Sequence, residues 1–242
     1  MSEVVTRERA ARVEFPFACL APLDDGVRAR IEAEALRVND RYLEEFLEKY
    51  AFCPYSREGR RRGEVQRYVH FCDSHDPEPL VERMRQVAAD ESQVVAQVIF
   101  PLIDVSAVDF ERFCRQLTDY AHSQLFDHDV LAAAPLHPDL RFTQSNPEAL
   151  IPLFRRTPDP TLQWVRLDAL QNLYSGRESD TVFVDASSID SYLRDNAGRT
   201  PLYETIAQAN AKMLQRLSVP TVEALLSDIA RDARDSYARI LA

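Results

Sequence analysis

The sequence predicts an α+β fold, in which a small mixed or ferredoxin-like sheet is covered by helices and followed by a helical C-terminal extension. Three observations predict it. Apolar residues recur at helical spacing over 27–50, short β-branched runs alternate with helical patterns as far as residue 136, and the end of the chain is amphipathic and helical. Alternation at this spacing is typical of folds whose connecting helices cover a sheet.

The first half of the chain divides at prolines and capping residues. Residues 1–24 are expected to form an irregular arm, after which Asp24 offers an N-cap for the first helix. That helix should end at Cys53, because a residue that precedes proline disfavours helical dihedral angles. The elements expected next are a basic loop at 57–63, strand 65–71, helix 77–89, strand 93–102, helix 109–126 and strand 130–136.

The second half is expected to be mainly helical. Helices at 147–153 and 160–173 flank a proline-rich turn, and a short strand is predicted at 181–185. Three more helical segments are predicted at 189–194, 202–217 and 222–241. These boundaries divide the chain into an N-terminal arm (1–24), an α/β core (25–185) and a helical C-terminal extension (186–242).

Composition narrows the possible functions. The net charge of −10 argues against nucleic-acid binding, which needs a basic surface to neutralise phosphates. Only five glycines are present, and neither the P-loop nor the dinucleotide-binding pattern occurs, so no nucleotide cofactor is expected. The absence of a leader pattern and of a long apolar stretch predicts a cytoplasmic protein that does not enter the membrane. The four cysteines lack C-x-x-C spacing and are expected to be reduced.

Two dipeptides place reactive side chains where predicted elements end. Cys53-Pro54 ends the first helix, and His137-Pro138 ends the third predicted strand. A thiolate is a nucleophile and a soft metal ligand, and the basic loop after Cys53 would lower the pKa of its thiol. His137 is a candidate general base, metal ligand or proton donor. The structural alternatives are a small buried cysteine that closes a helix and a histidine that caps a strand.

Three motifs resemble those of the bacterial family called domain of unknown function 1415, over residues 42–170. They are a Cys-Pro motif after a helix at 53–56, a His-Pro motif after a strand at 137–142, and a Pro-Thr segment expected to open a helix at 155–161. Two departures stand out, since Gln163 takes the place of a histidine in the family pattern and Leu167 the place of a glutamate. The residues beyond 170 are an extension. The resemblance implies no established activity.

We favour a haem protein with Cys53 as the axial thiolate and metal ligand. The Cys53-Pro54 dipeptide loosely resembles the proline-flanked cysteine of haem-thiolate peroxidases, and such a thiolate favours O–O cleavage. Haem propionates need cations, the macrocycle needs apolar walls, and neither requirement involves a glycine-rich loop. The residues expected to bind the haem are Tyr55, Arg60, Arg62, Arg67, Phe142 and Arg155.

The expected reaction is an oxidative step on an amino-acid-like small molecule, such as oxygenation or N-oxidation. Cys53 and His137 would converge on one cavity, where His137 assists proton delivery and Arg156 holds a carboxylate. One alternative is a hydrolase or transferase without haem, in which His137 activates Cys53 as a nucleophile. A second is a non-enzymatic binding or assembly protein that forms homodimers through its last helix.

Overall fold

The computed structural model describes residues 13–125, 130–168 and 202–242, and these contain one mixed sheet. Its strands lie in the order β1-β2-β4-β3. β1 and β2 are parallel, whereas β4 is antiparallel to both of its neighbours, β2 and β3. The strand bounds are Val65–Val69 (β1), Val95–Ile99 (β2), Leu131–Leu136 (β3) and Thr161–Arg166 (β4). The predicted α+β fold with a mixed sheet and a helical C-terminal part is confirmed.

Helices cover the sheet on both sides. A π-helical segment, Tyr42–Glu48, continues the first helix, and a 3₁₀ turn, Glu148–Leu150, leads into the fifth. The α-helices are Asp25–Arg41 (α1), Pro54–Arg62 (α2), Glu78–Ala89 (α3), Ala107–Leu125 (α4), Ile151–Phe154 (α5), Leu202–Leu217 (α6) and Val219–Leu241 (α7). None of the helices in the described ranges is long and apolar enough to cross a membrane.

The two faces of the sheet belong to different hydrophobic clusters, because successive strand residues point to opposite sides. We call one side the α4 face; its residues Ala96, Val98, Leu162 and Trp164 pack with α3 and α4. We call the other side the α1 face; it packs against α1, the π-helical segment, α2 and α7, and it carries Val65, Val95, Ala132 and Val165. The molecule therefore has three layers, with the sheet in the middle.

The predicted loop at 57–63 is wrong, because these residues form most of α2. Pro54 occupies the first turn, where a helix does not need the missing N–H. Gly63 ends the helix in the left-handed conformation, with φ at 75°. The arginines at 60, 61 and 62 fill the last turn, where positive charge is favourable to the helix dipole. A cluster of charges that resembled a loop is thus the C-terminal turn of a helix.

The predicted helix at 160–173 is wrong over Thr161–Arg166, which form strand β4. All six residues are buried, since β4 lies between β2 and β3 and both faces of the sheet are covered. Threonine, tryptophan and valine at 161, 164 and 165 favour strands. A run that is buried on both sides lacks alternation, so its apolar spacing does not separate a strand from a helix.

The C-terminal helices pack against the core. Leu214 of α6 and Val222, Leu226 and Ile229 of α7 share one cluster with the π-helical segment, and Ala233 and Tyr237 pack with α1. The helix predicted at 202–217 is confirmed, and the one predicted at 222–241 begins three residues earlier, at Val219. The strand predicted at 181–185, the helix at 189–194 and the boundary between 185 and 186 lie outside the described residues.

Candidate functional site

A cavity of about 50 Å³ lies between the α1 face of the sheet, the π-helical segment, α2 and α5. Most of its wall is apolar and comes from side chains such as Leu43, Val95 and Leu136. The polar side chains in the wall are those of Tyr42, Cys53, Tyr55, Ser56, Gln97, Arg155 and Gln163. A mainly apolar cavity with a few convergent polar groups is the usual form of a small-molecule site.

Cys53 occupies the N-cap position of α2, in an extended conformation that the following proline favours. Burial raises the pKa of the Cys53 thiol to about 11, and the nearby Glu48 carboxylate acts in the same direction. The backbone N–H groups of Tyr55 and Ser56 lower the same pKa. The sulfur therefore lies at a helix N-terminus, which stabilises a thiolate, yet its raised pKa keeps it protonated at neutral pH.

Glu48 links the π-helical segment to α2 beside the cavity. Its Oε1 accepts hydrogen bonds from the Ser56 hydroxyl at 2.9 Å and from Arg60 Nη1 at 3.0 Å. Only 10% of the Glu48 side chain is exposed. Ser56 is one of the residues that line the cavity, and its hydroxyl bonds the largely buried Glu48 carboxylate.

Tyr55 forms part of the cavity wall because Gly59 lets its ring lie close to the helix. A Cβ added at Gly59 would meet the Tyr55 ring at 2.5 Å. The Tyr55 hydroxyl donates to Glu64 Oε2 at 2.6 Å, which fixes the outer end of the side chain. The glycine is thus needed for the shape of this wall rather than for a turn.

Two glutamines face each other on the sheet side of the cavity. Gln97 of β2 and Gln163 of β4 are register partners, and Gln97 Nε2 donates to Gln163 Oε1 at 3.0 Å. Both side chains are buried. No donor among the described residues reaches Gln97 Oε1, which is also buried.

His137 does not share the cavity with Cys53, contrary to the prediction. Leu136 lines the cavity, and the next residue points to the α4 face, where the His137 ring lies 5.9 Å from that of Phe110. The backbone N–H of Asp139 donates to His137 Nδ1, so Nε2 carries the hydrogen that bonds the Val105 carbonyl. Burial lowers the pKa of His137, and the neutral ring is held by backbone groups on both nitrogens.

The predicted arginine cluster is divided among several places. Arg155 lines the cavity, whereas Arg156 lies over the Phe142 ring and pairs with Glu223 of α7. The remaining three predicted cations pair with carboxylates of neighbouring helices and loops: Arg60 with Asp40, Glu44 and Glu48, Arg62 with Glu58 and Glu64, and Arg67 with Asp40. The structure thus brings Cys53, Tyr55 and Arg155 together and places His137, Arg156 and Phe142 elsewhere.

Sequence reasoning missed Glu48 and Gln97, and it noted Gln163 only as a departure from the pattern of the resembled family. A signal existed for the glutamines, because each interrupts a short apolar run that forms a buried strand. Gln163 is one of the residues that line the cavity. For Glu48 there was no signal, since it is one of several acidic residues near the end of a long helix.

Metal ligation has no support in the side-chain arrangement of residues 13–125, 130–168 and 202–242. No group of three or more histidine, cysteine, aspartate or glutamate side chains in these ranges is placed to hold a metal ion. The four cysteines are free thiols, of which Cys19 is exposed and Cys53, Cys72 and Cys114 are buried.

Comparison with known proteins gives one match. The model of a protein family described as "Protein of unknown function (DUF1415)" matches residues 34–184. No curated protein and no solved structure matches the chain.

Proposed function

This chain belongs to the DUF1415 family, whose function is unknown, so we infer its activity from its own residues. We propose that it is a small-molecule-modifying enzyme whose active site is the Cys53 cavity. One observation supports this: Cys53 lies in the wall of a cavity, at the N-terminus of α2. A helix N-terminus is one of the settings that favour the reactive thiolate form of cysteine. The enzyme would be a hydrolase or transferase that uses Cys53 as its nucleophile.

We assign the proton route to Ser56 and Glu48, because His137 lies on the other face of the sheet. The sulfur forms a bond to an acyl carbon of the substrate, while the thiol proton passes through the Ser56 hydroxyl to Glu48. The leaving group departs with that proton. Water then hydrolyses the thioester, which releases the acid and restores the thiol.

Selective alkylation tests the accessibility and reactivity of Cys53. In a Cys19→Ser background, which removes the exposed thiol, we expect a small haloacetamide to label Cys53 before Cys72 and Cys114, as read by mass spectrometry of peptides. The rate should rise steeply with pH towards about 11, because burial raises the pKa of the Cys53 thiol to that value.

Cys72 and Cys114 are internal controls, because both are buried outside the cavity and burial raises the pKa of both thiols, that of Cys72 to about 12. In the unfolded protein, Cys53, Cys72 and Cys114 should be labelled at similar rates. If Cys53 in the folded protein reacts no faster than these two thiols, it is not the nucleophile.

Haem does not fit this cavity. Sites for ligands of drug size enclose roughly 300–1,000 Å³, whereas the space beside Cys53 is about 50 Å³. Arg60 and Arg67, two of the cations expected to hold the propionates, already pair with Asp40. We therefore derive no step through haem, and we expect an absorption spectrum of the purified protein to lack a Soret band, even after expression with a haem precursor. A Soret band that Cys53→Ala abolishes would contradict this.

A further inference from the structure

We infer that Asn210 of α6 is a positioning residue for Cys53, because its side-chain amide holds the turn from which Cys53 enters α2. The inference rests on the proposed function only in taking Cys53 as the reactive group. Asn210 Nδ2 donates to the Phe52 carbonyl at 3.1 Å. Only 5% of Asn210 is exposed, and Phe52 is fully buried. The bond therefore ties the C-terminal extension to the residue that precedes the thiol.

This bond fixes the peptide group that carries the Cys53 nitrogen. The Phe52 carbonyl and the Cys53 N–H belong to one plane, so holding the oxygen restricts rotation of the whole group. A carbonyl oxygen only accepts, so the part of the Asn210 amide that faces it has to be the NH₂. The Phe52 N–H donates to the Leu47 carbonyl at 2.9 Å. The backbone that leads into Cys53 is thus held by the π-helical segment on one side and by α6 on the other.

The turn before Phe52 is strained. Ala51 has φ at 54°, in the left-handed region. A residue that ends a helix in this conformation is usually glycine, because a Cβ atom makes the conformation unfavourable. Such a conformation persists only where neighbouring contacts hold it. Here the Phe52 ring packs 4.7 Å from that of Phe154, and the Phe52 carbonyl bonds Asn210. Without the Asn210 bond, the turn can relax by rotating the peptide that joins Phe52 to Cys53.

Asn210 lies on the side of α6 that faces the core. Ala207 and Leu214, about one turn away in each direction, are 1% and 3% exposed. An amide in this apolar row costs free energy unless it is hydrogen-bonded. The bond to Phe52 satisfies the amide and the buried carbonyl together, and separation would leave both unpaired. Because of this mutual need, α6 and the turn before Cys53 are expected to keep or lose their places together.

The reactivity of Cys53 is therefore regulated by α6. Only 8% of Cys53 is exposed, and burial raises the pKa of its thiol to about 11. Opening of the turn would bring the thiol into water and lower that pKa. Reagents and substrates would reach Cys53 through this local opening. The control comes from a part of the chain beyond residues 34–184, which match the family model.

Haloacetamide labelling of Asn210→Leu in the Cys19→Ser background tests this. At neutral pH we expect Cys53 to be labelled roughly tenfold faster than in Cys19→Ser alone, because the strained turn has lost its bond. The rates of Cys72 and Cys114 should change by less than about twofold, since the opening is local. The midpoint of the pH–rate curve of Cys53 should also move below about 11. An unchanged Cys53 rate and midpoint, or equal acceleration of all three thiols, overturns the inference.

Leu226→Ala is the control for a general loss of packing. Leu226 of α7 is buried in the same cluster as Phe52, but it does not supply the bond to the Phe52 carbonyl. This variant should not accelerate Cys53 more than it accelerates Cys72 and Cys114. A selective acceleration of Cys53 as large as that in Asn210→Leu would mean that packing alone positions the thiol, which also overturns the inference.

Ala51→Gly tests the strained turn independently. Ala51 is exposed, so the change relieves the left-handed conformation without removing buried contacts. Added to Asn210→Leu, it should slow the labelling of Cys53 by about threefold or more. If Asn210→Leu does not fold, Ala51→Gly alone decides, since it should slow the labelling of Cys53 by about the same factor. A rate that stays the same or rises overturns the inference.

The same labelling separates this inference from the proposed enzyme. If Cys53 in the folded protein reacts no faster than Cys72 and Cys114, the enzyme is removed. Selective acceleration of Cys53 in Asn210→Leu would still show that Asn210 positions it. A fast Cys53 whose rate is unaffected by Asn210→Leu would keep the enzyme and remove the positioning role.

Discussion

Asp159 is the buried carboxyl group that ties the last helix to the sheet. The residue is only 5% exposed, and its Oδ2 accepts a hydrogen bond from the Tyr237 hydroxyl of α7 at 2.8 Å. Burial raises the pKa of Asp159 from 3.8 to about 7, and the bond from Tyr237 opposes that change only in part. The folded protein therefore binds this proton more tightly than the unfolded chain does.

The raised pKa predicts that Asp159 makes the protein less stable as the pH rises. Its favourable contribution is complete below pH 4 and is lost as the pH increases through 7, because the folded state must then hold a buried charge. A pKa raised from 3.8 to about 7 corresponds to roughly 4 kcal/mol. In Asp159→Asn, which retains an acceptor for Tyr237, we expect the free energy of unfolding to lack this loss between pH 4 and pH 8.

Urea unfolding at a series of pH values gives the measurement, as the difference between the two proteins. Other titrating groups cancel in that difference, including His70, whose pKa burial lowers to about 4 and which therefore opposes Asp159 in the acid range. Asp235→Asn, an exposed change on the same helix, should leave the pH profile unchanged. A constant difference between Asp159→Asn and the unmodified protein would show that the buried carboxyl does not titrate.

Residue by residue, the sequence identified reactive groups but did not decide which of them meet. Cys53 was found because proline follows it, and the structure places it in a cavity wall. The face occupied by His137 depends on the register of β3, since a shift by one residue turns every side chain to the other side. The contact between Gln97 and Gln163 depends on β4 lying beside β2, and a sequence read as helical at 161–166 hides that pairing.

At the scale of the element, helices with one apolar face were predicted well and buried strands were not. The periodic pattern located α3, α4 and α6 to within a few residues, because each has solvent on one side and core on the other. β4 has core on both sides, so its sequence has no periodic contrast. The order of the strands is set by packing between distant segments, which no local pattern records.

The junction between α6 and α7 holds a serine in an unfavourable conformation. Ser218 has φ at 69° and ψ at 143°, a region that residues with a side chain rarely adopt. The same residue caps α7, because its side chain accepts a hydrogen bond from the Thr221 backbone N–H. Strain and capping therefore act in opposite directions at one position.

Substitution separates these two effects. Ser218→Gly relieves the strain and loses little as an N-cap, so we expect it to be equal to or more stable than the unmodified protein by up to about 1 kcal/mol. Ser218→Ala keeps the strain and loses the cap, which should reduce the free energy of unfolding by about 1 kcal/mol. Urea unfolding compares the two. Equal stability of the glycine and alanine variants would mean that the conformation of Ser218 is not strained.

At the scale of the whole molecule, α7 is part of the layered core. It lies along α1, where Ala233 and Tyr237 meet Ile31, Ala35 and Val38. Arg37 and Arg41 of α1 also pair with Asp232, and Arg41 with Asp228. These pairs are partly exposed and contribute little, so apolar contact provides most of the stability. The described end of the C-terminal extension thus covers the same face of the sheet that contains the cavity.

This packing predicts that damage to α7 unfolds the entire core. Ala233 is 1% exposed against α1, so Ala233→Arg would bury an unpaired charge and should lower the free energy of unfolding by about 3 kcal/mol or more. Ala238→Arg places the same side chain at an exposed position of the helix and should change stability by less than about 0.5 kcal/mol.

Trp164 reports the outcome, because it is the one tryptophan of the chain and lies fully buried on the α4 face, in the layer opposite α7. In Ala233→Arg, we expect its fluorescence transition in urea to shift to lower concentration together with the loss of helical circular dichroism. Coincident transitions would mean that one cooperative unit extends from α4 through the sheet to α7. If the helical signal is lost at a lower urea concentration while the Trp164 transition does not shift, α7 unfolds independently of the sheet. The cavity would then keep the walls that the sheet and α2 provide.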